Sequence, residues 1–388
     1  MSDWNLTYLK DVSELITKGT TPTSVGGKFT DSGINFIKSE SLNYEGIIDE
    51  SVFAFIDEDS NKKLKRSVLR ENDILYSIAG IYLGKMGIVR KHHLPANTNQ
   101  ACALIRLKHD VVDYRFIKQY FSDKSFINFV NSLTGQAAQP NINLTDIGNL
   151  KLLLPLLPTQ QRIASILSAY DELIEVNHQR IKLLEETTRE LYKEWFVRMR
   201  FPGYKKAKFV KGVPEGFGEQ KYFKDFIKLN RGFDLPEEEI KEGEYPVIAS
   251  TSIKAYHNQF KVKAPVITTG RSGSLGTVLY VNQDGWPLNT SLYVKDFKGN
   301  EPLYVYYTLK SIDLESFNSG AGVPSLNQNH LHKLKLWIAG EELQKKFKYL
   351  IDPIFQQLEI LDQQNIQLCQ IRDRLLPRLV SGKLVVKV

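Results

Sequence analysis

The chain has 388 residues, 42% of them hydrophobic, and a formal net charge of +7 at pH 7. This length accommodates two or three domains with real cores, and the mild basic excess permits a polyanionic partner. No apolar run approaches the ~18 residues of a membrane span, and Met1 to Lys10 lack a basic-then-apolar leader. The two cysteines, Cys102 and Cys369, are far apart, which excludes a disulfide framework and a cysteine zinc site and points to a reducing cytoplasm.

From Leu9 to about Leu157, short apolar runs are broken by turn residues. Ile34–Ile37, Ile74–Ile78, Gly87–Val89 and Cys102–Leu107 read as strands. Tyr114–Leu133 reads as one helix with Phe116, Tyr120, Ile127 and Val130 as its apolar stripe. A short helix, Leu144–Leu150, and a strand, Lys151–Leu154, complete a mixed α/β domain.

Between Thr159 and Arg200 apolar residues recur in steps of four and three: Ile163, Leu167, Tyr170, Ile174, Asn177, Ile181, Leu184, Thr188, Leu191, Trp195. This is a heptad seam, bounded by Pro155 and Pro158 before it and Pro202-Gly203 after it. Roughly 40 helical residues make a rod about 60 Å long, more than a small domain's core requires. A lysine-bearing linker with Lys205, Lys206, Lys208 and Lys211 follows.

Then the first domain returns. Leu9-Lys10-Asp11-Val12 matches Tyr222-Phe223-Lys224-Asp225-Phe226; Lys18-Gly19-Thr20-Thr21-Pro22 matches Arg231-Gly232-Phe233-Asp234-Leu235-Pro236; Ile37-Lys38-Ser39-Glu40-Ser41-Leu42 matches Ile248-Ala249-Ser250-Thr251-Ser252-Ile253. Gly84 to Gly87 matches Gly273 to Gly276, Pro140-Asn141-Ile142-Asn143 matches Pro324-Ser325-Leu326-Asn327, and Lys151-Leu152 matches Lys335-Leu336. A second seam closes the chain: Phe347, Leu350, Ile354, Leu358, Leu361, Asn365, Leu368, Leu375, with Leu376-Pro377 as its end. Asn177 and Asn365, one per seam, either fix register and partner or are the occasional polar residue that a helix of this length contains. The expected fold is α/β (α+β): two similar globular domains joined by two long helices that form an antiparallel coiled coil, an internal pseudo-two-fold repeat. Domain one spans residues 1–157, the first helix 158–201, domain two 202–340 and the second helix 341–388. One module written twice with divergent loops implies two sites of one kind that recognise different things.

Catalytic signatures fail one by one. Gly270-Arg271-Ser272-Gly273-Ser274-Leu275-Gly276 lacks the lysine-serine ending of a phosphate loop and reads as a turn between strands. Asp352-Pro353-Ile354-Phe355 approaches an amino-methyltransferase motif, but it falls in the second seam and reads as the start of that helix. His92-His93, His330 and His332 have no metal spacing and read as surface histidines. No nucleophile triad stands out. Binding chemistry remains. Arg, Lys, Asn and Gln read base edges, while Ser, Thr and backbone amides hold phosphates. The loop candidates are Lys18, Thr20, Ser39, Ser41, Lys85, Asn97, Asn99, Gln100 and Gln136 in the first domain. In the second they are Arg231, Ser250, Ser252, Tyr256, His257, Asn258, Arg271, Ser272, Asn289 and Thr290. The basic stretches Lys62 to Arg66 and Lys205 to Lys211 suit phosphate contacts. A coiled-coil scaffold carrying two protein- or glycan-binding modules fits the duplication equally well, and binding to random duplex at two salt concentrations separates the readings.

The block Leu157-Pro158-Thr159-Gln160-Gln161-Arg162-Ile163, Asp171-Glu172-Leu173-Ile174, Tyr192-Lys193-Glu194-Trp195-Phe196-Val197-Arg198 and Phe201-Pro202-Gly203 resembles the DNA-specificity subunits of type I restriction-modification enzymes. The closing Leu375-Leu376-Pro377-Arg378-Leu379-Val380-Ser381-Gly382 shares the likeness. The resemblance implies a non-catalytic subunit whose two target-recognition domains each read half of a split, asymmetric DNA sequence. The paired helices would fix their separation and dock two modification subunits, which bind S-adenosylmethionine and methylate adenine. Restriction subunits, using ATP and Mg, would join for translocation and cleavage. Two readers on one face of B-DNA sit about one turn, ~34–36 Å, apart, a span that a coiled coil of this length can hold.

Overall fold

The computed structural model describes residues 4–133, 141–215, 217–320 and 322–387. It divides into two compact units, Met1–Asn177 with Gln363–Val388, and His178–Asp362. Each unit therefore combines one globular domain with one end of each long helix.

In the first unit, an antiparallel sheet runs in the order Ser13–Lys18, Cys102–Leu107, Ile74–Ser77, Met86–Ile88. The two central strands are almost wholly buried, as their continuous apolar runs require. A second sheet holds Phe29–Thr30, Ala54–Ile56, Ile34–Ile37 and Ala96–Thr98. Asn5–Tyr8 pairs antiparallel with Lys151–Leu154 and closes the domain. The second unit repeats the plan. Its main sheet runs Lys228–Arg231, Ser291–Asp296, Val266–Gly270, Val278–Val281. Its second sheet holds Ile253–His257, Tyr245–Ile248 and Trp286–Pro287, and Gly218–Tyr222 with Lys335–Ala339 closes the domain. The hydrogen bonds repeat with the plan: Ile142 N–H donates to the Ile78 carbonyl, and Leu326 N–H to the Arg271 carbonyl.

Two departures have local causes. The expected helix Tyr114–Leu133 is two helices, Tyr114–Ser122 and Lys124–Ser132. Asp123 between them is extended (φ −67°, ψ 129°), and its carboxylate accepts from the N–H groups of Ser125 and Phe126, so it caps the second helix instead of continuing the first. The linker folds in part as a small hairpin, Phe209–Val210 with Val213–Pro214.

The first long helix spans Leu157–Tyr192, with Pro158 in its first turn, where a missing N–H costs nothing. It ends in a π turn, Lys193–Val197, in which Arg198 N–H donates to the Lys193 carbonyl at 2.8 Å. The extra residue sets Trp195 and Phe196 together in the second core. The second long helix spans Glu341–Val380, longer at both ends than its seam suggests. Asp352-Pro353 lies inside it and does not start it, and Pro377 does not end it. Every seam position of the first helix is buried or half-buried. On the second, Leu361 and Asn365 are buried and Leu358, Leu368 and Leu375 half-buried. Leu350 is the exception: it is 42% exposed, and Ile351 takes the core position.

Within the first unit the helices run in opposite directions. Asn177 Nδ2 donates to Asn365 Oδ1 at 3.0 Å, and Arg372 Nη1 to Asp171 Oδ1 at 2.9 Å, so advance along one helix is retreat along the other. Ile163, Ala164 and Leu167 share the first core with Leu376, Leu379 and Val380. In the second unit Tyr192 and Trp195 share the second core with Leu343, Phe347 and Ile351. A buried glutamine anchors each domain to the helix that follows it. Gln160 Oε1 accepts from Asp113 N–H at 3.1 Å while Nε2 donates to the Pro155 carbonyl at 2.8 Å. Gln344 repeats this with Glu301 N–H at 2.9 Å and the Ala339 carbonyl at 2.7 Å.

Candidate nucleic-acid interface

The sheet register aligns the two sites. Lys18 lies opposite Ala103 and Arg231 opposite Leu292, which sets Gln100 against Asn289 and Thr21 against Asp234. Each basic residue ends a strand and is followed by a glycine that nothing else can replace. A Cβ on Gly19 would lie 1.8 Å from the Thr98 carbonyl oxygen, and one on Gly232 2.2 Å from that of Leu288. The chain then turns so that Thr21 Oγ1 donates to Gln100 Oε1 at 2.6 Å in the first domain. In the second, the Asn289 amide donates to Asp234 Oδ1 at the same place. One geometry thus carries two chemistries.

Around each clasp the structure gathers further cations. Arg66 Nη2 donates to the Lys18 carbonyl at 3.3 Å and lies 3.5 Å from Thr20 Oγ1. In the second domain Arg231 Nη2 donates to Asp234 Oδ1 at 3.2 Å, and Arg271 Nη1 to the Asn289 carbonyl at 3.1 Å. The N–H groups of Arg271 and Ser272 both donate to the Thr290 carbonyl. Arg231 and Arg271 line a cleft of about 300 Å³ with Ser319, Ser325, Asn327 and Gln328. Gln328 Oε1 is buried and has no hydrogen-bond partner among the described residues. Two guanidinium groups, hydroxyls and amides at one opening provide the donor and acceptor set that base edges and phosphates require.

Other candidates fall elsewhere. Ser250 reaches this region, since a Cβ on Gly270 would meet its Cβ at 3.4 Å, whereas Ser252, Tyr256 and Asn258 belong to the exposed hairpin of the second sheet. Asn99 is half-buried, and Lys85 lies over the Tyr82 and Tyr44 rings at 4.8 and 5.8 Å. Gln136 lies outside the described residues. Four candidates are buried: Ser39, Ser41, Asn97 and His257. The Asn97 side chain is committed to Ser67, Asn61 and the Leu64 carbonyl, and His257 Nδ1 accepts from Lys241 N–H while its ring meets Trp286. Thr21, Asp234, Ser319 and Gln328 were not among the candidate residues, although the repeated phrases had marked Thr21 with Asp234 and Asn143 with Asn327.

The histidine reading needs correction. His93 is buried, and folding brings Glu50 to His92 and His93, with Nε2 to Oε1 distances of 3.2 and 3.7 Å. Burial and the neighbouring His92 hold His93 below the usual histidine pKa, against the pull of Glu50. Its Nδ1 accepts from Arg90 N–H at 3.0 Å, so the neutral ring carries its proton on Nε2, the atom that faces Glu50. That nitrogen is a hydrogen-bond donor, not a metal ligand. Cys102 is inert, its thiol pushed up to about 12 by burial. The loop Gly270 to Gly276 is a turn between strands, with Gly273 and Gly276 at φ 88° and 87°.

A domain written twice, each copy bearing a polar clasp of the same geometry and resting on paired helices within its own unit, defines a two-site recognition protein. A family model described as the type I restriction modification DNA specificity domain matches residues 1–186 and 219–370. The chain belongs to that family, and as a specificity subunit it is not itself an enzyme. It is 25% identical to the type I restriction enzyme MjaIX specificity subunit of Methanocaldococcus jannaschii, over 99% of this chain and 94% of that protein. It is 29% identical over 146 residues, 37% of this chain and 30% of that protein, to the EcoBI specificity subunit of Escherichia coli. Its fold matches the S subunit of a type I restriction-modification system from M. genitalium with a TM-score of 0.63, at 17% identity, over 97% of this chain and 96% of that one. Among the described residues no helix is long and apolar enough to cross a membrane.

Proposed function

We propose that the two domains, residues 1–157 and 202–340, each read one half of a bipartite, asymmetric duplex sequence. The long helices set the gap between half-sites and dock two modification subunits, with restriction subunits joining that complex. S-adenosylmethionine, ATP and Mg belong to those partners.

One observation carries the reading: the equivalent clasps differ in chemistry while keeping their geometry, Lys18 with Thr21–Gln100 against Arg231 with Asp234–Asn289. Two readers of the same half-site would have no reason to diverge there. Arg231 and Arg271 suit guanine or phosphate, and Lys18 with Arg66 suits phosphate. The test is reconstitution with the modification subunits followed by genome-wide mapping of methylated adenines. A split motif is expected, and a chimaera carrying another subunit's first domain should alter one half only. Methylation without a split motif, or a chimaera that changes both halves, contradicts it.

A further inference from the structure

Besides the glutamine anchors and the shared cores, each domain meets both long helices through a contact built from equivalent positions, ionic in the first unit and aromatic in the second. The reference points are Asp113 and Glu301, whose N–H groups bond Gln160 and Gln344. The fifth and sixth residues onward are Lys118 and Gln119 in the first domain, Tyr306 and Tyr307 in the second; the eleventh residue past each glutamine is Asp171 and Phe355.

In the first unit the clasp is ionic. Asp171 Oδ2 accepts from Lys118 Nζ at 2.5 Å and Gln119 Nε2 at 2.8 Å, while Oδ1 accepts from Arg372 Nη1 of the second helix at 2.9 Å. The side chains of Lys118, Asp171 and Arg372 are only 15%, 22% and 20% exposed. In the second unit Phe355 packs edge-on against Tyr306 and Tyr307, with ring centroids 6.0 and 6.1 Å away, and Tyr280 joins at 5.3 Å. Tyr307 Oη donates to Thr188 Oγ1 of the first helix at 2.6 Å. Salt weakens the part-buried charges of the first clasp, though less than it would exposed ones, whereas the aromatic packing of the second does not weaken with sodium chloride; the second domain keeps an ionic contact with its helix, Lys348 Nζ to Glu301 Oε2 at 3.3 Å.

We propose that Asp171 is a positioning residue for the first domain, so that rising ionic strength or loss of this carboxylate loosens the reading of one half-site and spares the other. The proposal rests on the bipartite reading above. The full chain is tested by amide hydrogen exchange of helix Tyr114–Ser122 against helix Pro302–Ser311 from 0.1 to 1 M sodium chloride. The first helix should exchange about threefold faster at high salt and the second should change less, the Lys348–Glu301 pair lying at its N-terminal end. Asp171→Asn should speed exchange in the first helix about tenfold at low salt, because it leaves two part-buried cations short of a partner. Equal salt responses of the two helices in the unaltered chain, or an Asp171→Asn variant that exchanges like the parent, overturns the clasp; the unaltered chain decides if the variant does not fold.

The second arm uses the assembled complex and duplexes altered in one half-site at a time. Discrimination should fall about tenfold at one half-site in Asp171→Asn and stay within twofold at the other. An equal fall at both, or none at either, overturns positioning. Absence of any sequence preference in the parent complex instead overturns the bipartite reading, and the exchange arm, which needs no DNA, is then judged by itself.

Discussion

Asn177 and Asn365 sit where a coiled coil would take leucine, 6% and 7% exposed, joined by one hydrogen bond. Among the described residues, buried Asn365 Nδ2 has no hydrogen-bond partner. Such a pair favours one register at a cost in stability. Asn177→Leu alone should lower stability by about 1–3 kcal/mol, since it leaves Asn365 wholly unsatisfied. The double change to leucine should recover that loss or exceed it. Thermal melts of the three chains check this, and a double variant less stable than the single one contradicts it. Asp73 and Arg106 follow a related logic. The guanidinium holds both carboxylate oxygens at 2.8 and 2.7 Å, and Asp73 is 2% exposed. Arg106→Met should cost about 3–5 kcal/mol by leaving a buried charge unpaired, and a denaturant midpoint within error of the parent would contradict the assignment.

At the scale of elements, the seating of the first domain on its helices should depend on acid. Burial pushes the Asp171 carboxyl up, but Lys118, Gln119 and Arg372 outweigh it and hold it below the ordinary aspartate value. A depressed native pKa contributes stability that is complete above the unfolded value and is lost as pH falls through the native one. Acidification below the usual carboxylate range should therefore loosen the first unit, and Asp171→Asn should flatten that part of the profile. Melting curves between pH 7 and about 3 read it out; an unchanged acid limb in the variant would show that other carboxylates govern it. The aromatic clasp of the second unit has no carboxylate in the equivalent place. Burial and nearby acids, Asp352 first among them, push its Tyr280 hydroxyl up to about 12, so this group stays neutral across the same range.

For the molecule as a whole, two outcomes follow from the proposed function. Changing Arg231 or Arg271 to alanine should weaken binding of the cognate duplex. Discrimination should relax by about 1–3 kcal/mol at one base pair where the arginine reads an edge. Where it holds a phosphate, the salt slope should fall by ~0.9 without loss of specificity. Competition binding at two salt concentrations distinguishes the cases, and no effect from either change would remove the cleft from the interface. Inserting whole helical turns into the long helices should lengthen the spacer in the methylated motif, and an unchanged spacer would refute the ruler.

The amino-acid order alone determined the heptad seams, the duplication and the central strands Ile74–Ser77 and Cys102–Leu107. Each is a local pattern in which side-chain spacing fixes which face is buried, and Ile163, Leu167 and Leu361 follow it without help. The paired glycines Gly19 and Gly232 also carried their meaning in sequence, because a close backbone approach leaves a residue type behind. What only tertiary structure decided rests on partners far away in the chain. Asn97 looked like a loop reader until Asn61, Leu64 and Ser67 enclosed it. Pro377 looked like a stop, yet its helix runs on to Val380, where Leu376, Leu379 and Val380 complete the first core. Asp171 and Phe355 occupy one position in a repeated scaffold, and nothing local says that one will meet cations and the other rings. That outcome belongs to the residues each domain brings to its helix, and hydrogen bonds and ion pairs form between neighbours in space regardless of their separation in sequence.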